Sequence, residues 1–448
     1  MNFTEEQIIQ LAPDTASLKA GRELSNERKW VKMANNERVL WGEVQGSGKE
    51  PYRTQIDLTN TAFKCSCPSR KFPCKHGLGL LFIFTRNRAV VAAKQPEPVW
   101  VSEWMDKRSQ KTEKETAPEP PEKKPTDELK KARDRQKRQD ERSAKAQAGV
   151  AELDLWLRDL IRTGLLTLPE RGYRFFEQTA ARMVDAQVGG LAARIRGFNR
   201  ISYASEQNWQ AQALEQAAQL FLITEAFRNL EKLPTALQED VKNLIGWSRT
   251  TKELFESPET ETIADHWLVL GRTTELDDKI TTQRNWLYGY ESGRFALVLN
   301  FAYQSTAIET PLLPGTVAES ELAFYPSAQP FRAAIKTHLG NHRAFPKPAA
   351  LPHWEAAQEQ LTDLWTRQPW ADDWPQWLEN LRLVPTPNGW QLADVNGQVL
   401  PLSPKFDDMK QMKLLAQSGG LPLTLAIVRT QKWILPLGLW TDNQYVLL

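Results

Sequence analysis

Cysteine is scarce in this chain: three in 448 residues, all between positions 65 and 74. So small an odd number cannot build a disulfide framework, which argues against an oxidised, secreted scaffold and for a cytoplasmic protein. Long apolar runs are missing too. The longest, LGLLFIF at 78–84, falls far short of the roughly 18 residues that a membrane helix needs, so no membrane association is expected. The opening MNFTEEQIIQL has no basic stretch followed by an apolar one, so no secretory leader is expected. Strong net charge is also lacking. At +2 overall, the chain offers no global argument for a nucleic-acid partner. The charge is uneven, however. Residues 1–147 carry 29 Lys and Arg against 21 Asp and Glu, and the remainder 28 against 34, so an anionic partner would meet the front half.

Catalytic signatures are missing as well. There is no nucleophile elbow and no glycine-rich dinucleotide loop. The GSGK stretch at 46–49 fails as a phosphate loop: Gly42 is one residue too far from Gly48, and Glu50 stands where Ser or Thr must hold Mg²⁺. His338 and His342 are four apart but lack the glutamate of a zinc protease. The adjacent Asp372 and Asp373 read as a helix N-terminal cap rather than a carboxylate pair. The expectation is a protein that is not an enzyme.

What is present is concentrated in KCSCPSRKFPCKH, residues 64–76. Cys65, Cys67, Cys74 and His76 place three thiols and an imidazole within a dozen residues, the donor set of tetrahedral Zn²⁺. Cysteines one residue apart suit a strand end or tight turn, not a regular strand. Cys74 and His76 lack the spacing of neighbours on one helix face and fit a loop entering a helix N-terminus. Upstream, VLWGEVQ (39–45) and YRTQIDL (52–58) alternate like paired strands around a GSGKEP turn, and 63–67 reads as a third strand. Downstream, GLGLLFIFTRN reads as a short buried helix. Four protein ligands fill the coordination sphere, which favours a structural zinc over a catalytic one.

This pattern, CxC followed by CxH after a strand hairpin and before an apolar helix, resembles the SWIM zinc finger over about residues 1–95. The ligand positions match one by one at Cys65, Cys67, Cys74 and His76. The resemblance implies roles in DNA binding or protein–protein interaction. For bacterial long forms it implies companionship with MoxR-type AAA ATPases and von Willebrand A domain proteins. Lys49, Arg53, Lys64, Arg70, Lys71 and Lys75 surround the ligands and are candidate contacts to phosphates or to a protein partner. The lysines beside the thiolates equally well offset the −1 charge of a zinc-loaded Cys3His site.

The remainder falls into three parts. Residues 95–148 read as a charged, proline-rich linker and a basic helical arm, with VWVSEWM at 99–105 as a segment able to dock. Residues 149–258 carry dense Ala and Leu stripes and read as a helical bundle, with Ser205 capping a helix over 206–230. Residues 259–448 read as mixed antiparallel α+β, with a helix over 352–383 and strands to the end. Six of the seventeen tryptophans lie between Trp354 and Trp390, as an irregular core or as the walls of a peptide-binding groove. The expected whole is a multidomain α+β protein: a small ββα-type zinc finger domain (1–94), the linker and arm, a central bundle, and a Trp-rich C-terminal part. Its expected function is a zinc-binding adaptor, with DNA binding through finger and arm as the alternative.

Overall fold

Two short helices open the chain in the computed structural model, α1 (Glu5–Leu11) and α2 (Thr15–Glu23). The Thr4 and Asp14 side chains cap them by accepting the backbone N–H of Gln7 and Ser17. Residues 3–46, 50–59, 61–69, 71–116, 125–203, 208–277, 280–303, 308, 310–342, 346–387, 389–430, 433–441 and 444–448 are described. Two compact units emerge: one of Met1–Ala117, Glu261–Phe324 and Phe331–Leu448, the other of Pro118–Thr260 and Tyr325–Pro330.

In the first unit the segments 39–45 and 52–58 pair as expected and the expected third strand joins them, while a further strand at the front was not anticipated. Strands β1 (Trp30–Asn35), β2 (Val39–Val44), β3 (Tyr52–Asp57) and β4 (Ala62–Cys65) form an antiparallel sheet in that order. Helix α3 (Lys75–Arg86) covers one face, and nine of its residues are buried. Its glycines bring neighbours very close. A Cβ on Gly79 would lie 2.8 Å from Leu24 Cβ, and one on Gly21 of α2 would lie 2.7 Å from Leu78 Cβ. Helix α4 (Val99–Thr116) covers the other face, where Val101, Trp104 and Met105 join Ala34, Val39, Trp41 and Ala62. Much of the segment read as linker is therefore a helix with an apolar side. Arg108 fastens it by an ion pair to the buried Asp57 at 3.3 Å.

The second unit is helical: α5 (Pro125–Thr163), α6 (Leu168–Asp185), α7 (Gly189–Arg196), α8 (Trp209–Arg228), α9 (Thr235–Ile245) and α10 (Thr251–Glu256). The basic arm and the first bundle helix are one continuous α5. Its buried stripe is Ala146, Val150, Leu153, Leu157 and Leu160. Phe176 and Phe198 stack at 5.1 Å in the bundle core. Gly172, at φ 65°, breaks the run of α6. Asp240 ties in the 325–330 segment by accepting the N–H of Ala328. The expected cap Ser205 lies outside the described residues.

The chain then returns to the first unit. Strands β5 (Thr262–Asp277), β6 (Ile280–Gly289), β7 (Phe295–Tyr303), β8 (Val317–Phe324) and β9 (Arg332–His342) close a barrel in the order β5-β6-β7-β9-β8. Trp267, Val269, Leu287 and Phe324 fill its interior. Next come α11 (Trp354–Arg367), β10 (Trp374–Thr386), β11 (Gly389–Ala393), β12 (Val399–Pro401), α12 (Asp408–Ser418), β13 (Leu423–Arg429), β14 (Ile434–Thr441) and β15 (Gln444–Leu447). Their sheet runs β12-β11-β10-β13-β14-β15. The helix expected over 352–383 is corrected here. It ends at Arg367, before Pro369, and WPQWLENLRLVPT is a central strand paired on both sides. Asp372 and Asp373 precede that strand and cap no helix. Strands β1, β8 and β9 and helices α1, α2 and α12 were not anticipated.

Helix α1 joins the finger to both β parts. Gln7 Nε2 donates to the Pro314 carbonyl and Gln10 Nε2 to the Leu448 carbonyl, while Leu313 enters the finger core. The finger is thus built into the unit it shares with the barrel.

Replacing the 8 % exposed Trp104 by alanine is expected to cost about 3–5 kcal/mol in chemical unfolding of the first unit. An unchanged midpoint would mean that α4 leaves the finger sheet uncovered. Gly79→Ala should cost about 1–3 kcal/mol in the same measurement, because the added methyl meets Leu24 at once.

Candidate metal centre

The four donors meet where β4 stops and α3 starts. Cys65 is the last residue of β4 and pairs with Thr54 of β3. The chain then turns, with Ser66 N–H donating to the Arg53 carbonyl and Arg53 N–H to Ser66 Oγ. That turn lets Cys67 swing back beside Cys65 despite the short spacing. Cys74 is the N-cap of α3 with extended backbone, and His76 lies in the first helical turn. The two faces needed by Cys74 and His76 come from this change of backbone at the helix start.

One ligand atom from each of Cys65, Cys67, Cys74 and His76 lies within 4.8 Å of all the others. His76 Nδ1 is 3.7 Å from Cys65 Sγ and 3.9 Å from Cys74 Sγ. Metal–sulfur bonds of about 2.3 Å and metal–nitrogen bonds of about 2.0 Å in a tetrahedron imply donor separations of roughly 3.5–3.8 Å. The donor set therefore fits zinc in both chemistry and spacing. Cys74 and His76 are buried, Cys65 and Cys67 half-buried.

The electrostatics point the same way. Hydrogen bonds from Cys65 and Cys74 hold the Cys67 thiol far below its ordinary range. Hydrogen bonding with Cys65 and Cys67, then burial, pushes Cys74 up. Burial alone would lower His76, but the hydrogen bonds and negative charge of Cys65 and Cys67 outweigh it and raise it to about 9. Without a cation the cluster competes for protons. A divalent ion satisfies all four donors together.

Packing around the donors keeps them in place. The Tyr52 ring lies 5.2 Å from the His76 ring, and Phe63 and Phe72 meet edge to face at 6.1 Å. Lys71 Nζ reaches Asp14 Oδ2 at 2.8 Å, pinning the metal loop to the start of α2. Lys71 is thus a loop anchor as well as a candidate contact. Arg53 is also engaged, 3.8 Å from Glu43 and 5.9 Å from the Trp100 ring centroid. Lys64 and Lys75 are exposed beside the donors. Lys49 and Arg70 lie outside the described residues.

A second group of donors was not anticipated from the sequence: Asp265, His266 and Glu291, at one end of the barrel. The Asp265 carboxylate is already used. It accepts the N–H groups of His266, Glu291 and Ser292 and the Ser292 hydroxyl. Its role is to close the ESG turn between β6 and β7. The turn was legible in the sequence; its fastening to β5 was not.

A sheet, a ligand loop and a helix organised around three sulfurs and one nitrogen define a Cys3His zinc finger. Residues 52–83 match the SWIM zinc finger, and residues 141–245 match the SWIM-associated four-helix bundle domain. The chain therefore carries a SWIM zinc finger together with the bundle that accompanies it. No curated protein and no solved structure matches it.

Purified protein should contain one zinc per chain by elemental analysis. Cys67→Ser should lower that content several-fold, and acidification should release the metal, because protons compete for the sulfurs and the imidazole. Full zinc occupancy in Cys67→Ser would contradict the ligand assignment.

Proposed function

We propose that the chain is a non-enzymatic, cytoplasmic adaptor whose zinc holds a protein-docking module in shape. The observation that carries this reading is the closed donor set. Cys65, Cys67, Cys74 and His76 use every position of a tetrahedral ion, leaving none for a reacting water. Bound zinc would fix β4 against α3 and contribute folding free energy on the order of 10 kcal/mol in a module of this kind. The three free cysteines suit a reducing compartment. The family resemblance suggests AAA ATPases of the MoxR type and von Willebrand A domain proteins as partner classes.

A second reading, phosphate contact with DNA, draws support from Lys64 and Lys75, both exposed beside the site. The pairing of Lys71 with Asp14 and of Arg53 with Glu43 weakens it, since those cations are partly spent within the chain. Affinity purification from the native host separates the readings. The adaptor reading expects specific protein partners that vanish when Cys65 and Cys74 are replaced, and no DNA affinity at 50 mM salt. Tight DNA binding that falls steeply between about 50 and 200 mM salt would favour the second reading.

A further inference from the structure

Helix α11 and the outer strand β12 enclose a groove of about 840 Å³, within the size range of ligand sites. One face of α11 forms the first wall. Its opposite face, Ala357, Leu361 and Leu364, is buried. Val399 and Leu400 of β12 form the second wall, and Trp354 closes the base at the N-terminal end of the helix. The Trp354 indole N–H donates to the Gln398 carbonyl, so helix and strand edge are held at a set separation.

The groove's charge is strongly one-sided. Glu355, Glu359 and Asp363 line it at intervals of four residues along α11. Glu355 and Glu359 have no ion-pair partner among the described residues. Among the described residues Asp363 pairs only with the exposed Arg367, an interaction that solvent weakens. Like charges four apart on a helix repel, so this face of α11 is less stable alone than with cations set against it. Among the described residues the one cation lining the groove is Arg429, which gives Nη2 to Gln358 Oε1 and lies 5.9 Å from the Trp354 ring centroid. Its Nη1 is buried without a hydrogen-bond partner among the described residues.

From these observations we infer that the groove takes an extended segment of a partner protein carrying Lys or Arg at alternate positions. The spacing supports this. Four residues along a helix advance about 6 Å, and two along an extended chain about 6.6–6.8 Å. Three basic side chains at i, i+2 and i+4 therefore meet Glu355, Glu359 and Asp363 in turn. The intervening side chains turn toward Val399 and Leu400. This site is separate from the zinc finger and goes beyond the docking role proposed for it.

The test uses the full chain and a fluorescein-labelled KTKTKTK peptide, with binding read by anisotropy at 50 mM salt. Saturable binding is expected, and Glu355→Lys with Glu359→Lys should weaken it at least tenfold. A composition-matched KKKKTTT peptide should bind several-fold more weakly, because its lysines point to both sides. Both substituted positions are exposed, and circular dichroism of the double variant should match the parent. No binding to the parent, equal binding by the double variant, or equal binding of the two peptides would each overturn the proposal. Partner capture through the finger is a separate readout, lost on replacing zinc ligands, so either reading can fail alone.

Discussion

Three sulfurs and an imidazole nitrogen converging on one point constrain everything at the front of this molecule. The convergence requires β4 to end at Cys65, the chain to turn within two residues, and α3 to begin at Cys74. Each requirement has a local cause: Ser66 N–H donating to the Arg53 carbonyl and Arg53 N–H donating to Ser66 Oγ make the turn, and the extended N-cap starts the helix. Without a cation the donors compete for protons: hydrogen bonds from its neighbours hold the Cys67 thiol down, while hydrogen bonding and burial push Cys74 up. A divalent cation resolves that conflict where protons cannot, because it serves all four donors at once.

The surroundings turn this local constraint into a structural one. The sheet that carries Cys65 is covered on one face by α3 and on the other by α4, so the sheet and its two covering helices form one packed body. Gly21 and Gly79 permit the approach of α2 to α3, and Lys71 ties the ligand loop to α2. Through Gln7 and Gln10 of α1, the same body is joined to the barrel and to the C-terminal sheet. Loss of the ion would therefore be felt beyond the finger, at the α1 contacts that link it to the β parts.

The metal site was legible in the sequence because its information is local. Donor identity and spacing over twelve positions, flanked by alternating strands, leave few alternatives. The bundle was legible from its Ala and Leu stripes, and most strands from alternation. What escaped was set by distant partners. Helix α1 is too short for a periodicity, and its worth lies in contacts with residues more than 250 positions away. The strand 374–386 reads like a continuation of α11 because its aromatics and leucines fit a helical stripe as well as a pleat. Pairing with β11 and β13 decides the matter. The docking of 99–105 was suggested by its tryptophans, but the face it covers was not. The acidic wall of the α11 groove was hidden because its opposite wall is more than thirty residues further on.

The most direct test of the central claim is zinc-edge X-ray absorption on the purified chain. The account predicts a first shell of three sulfurs at about 2.3 Å and one nitrogen at about 2.0 Å, with no further light atom. A shell containing a water oxygen, fewer than three sulfurs, or no bound zinc at all would contradict it.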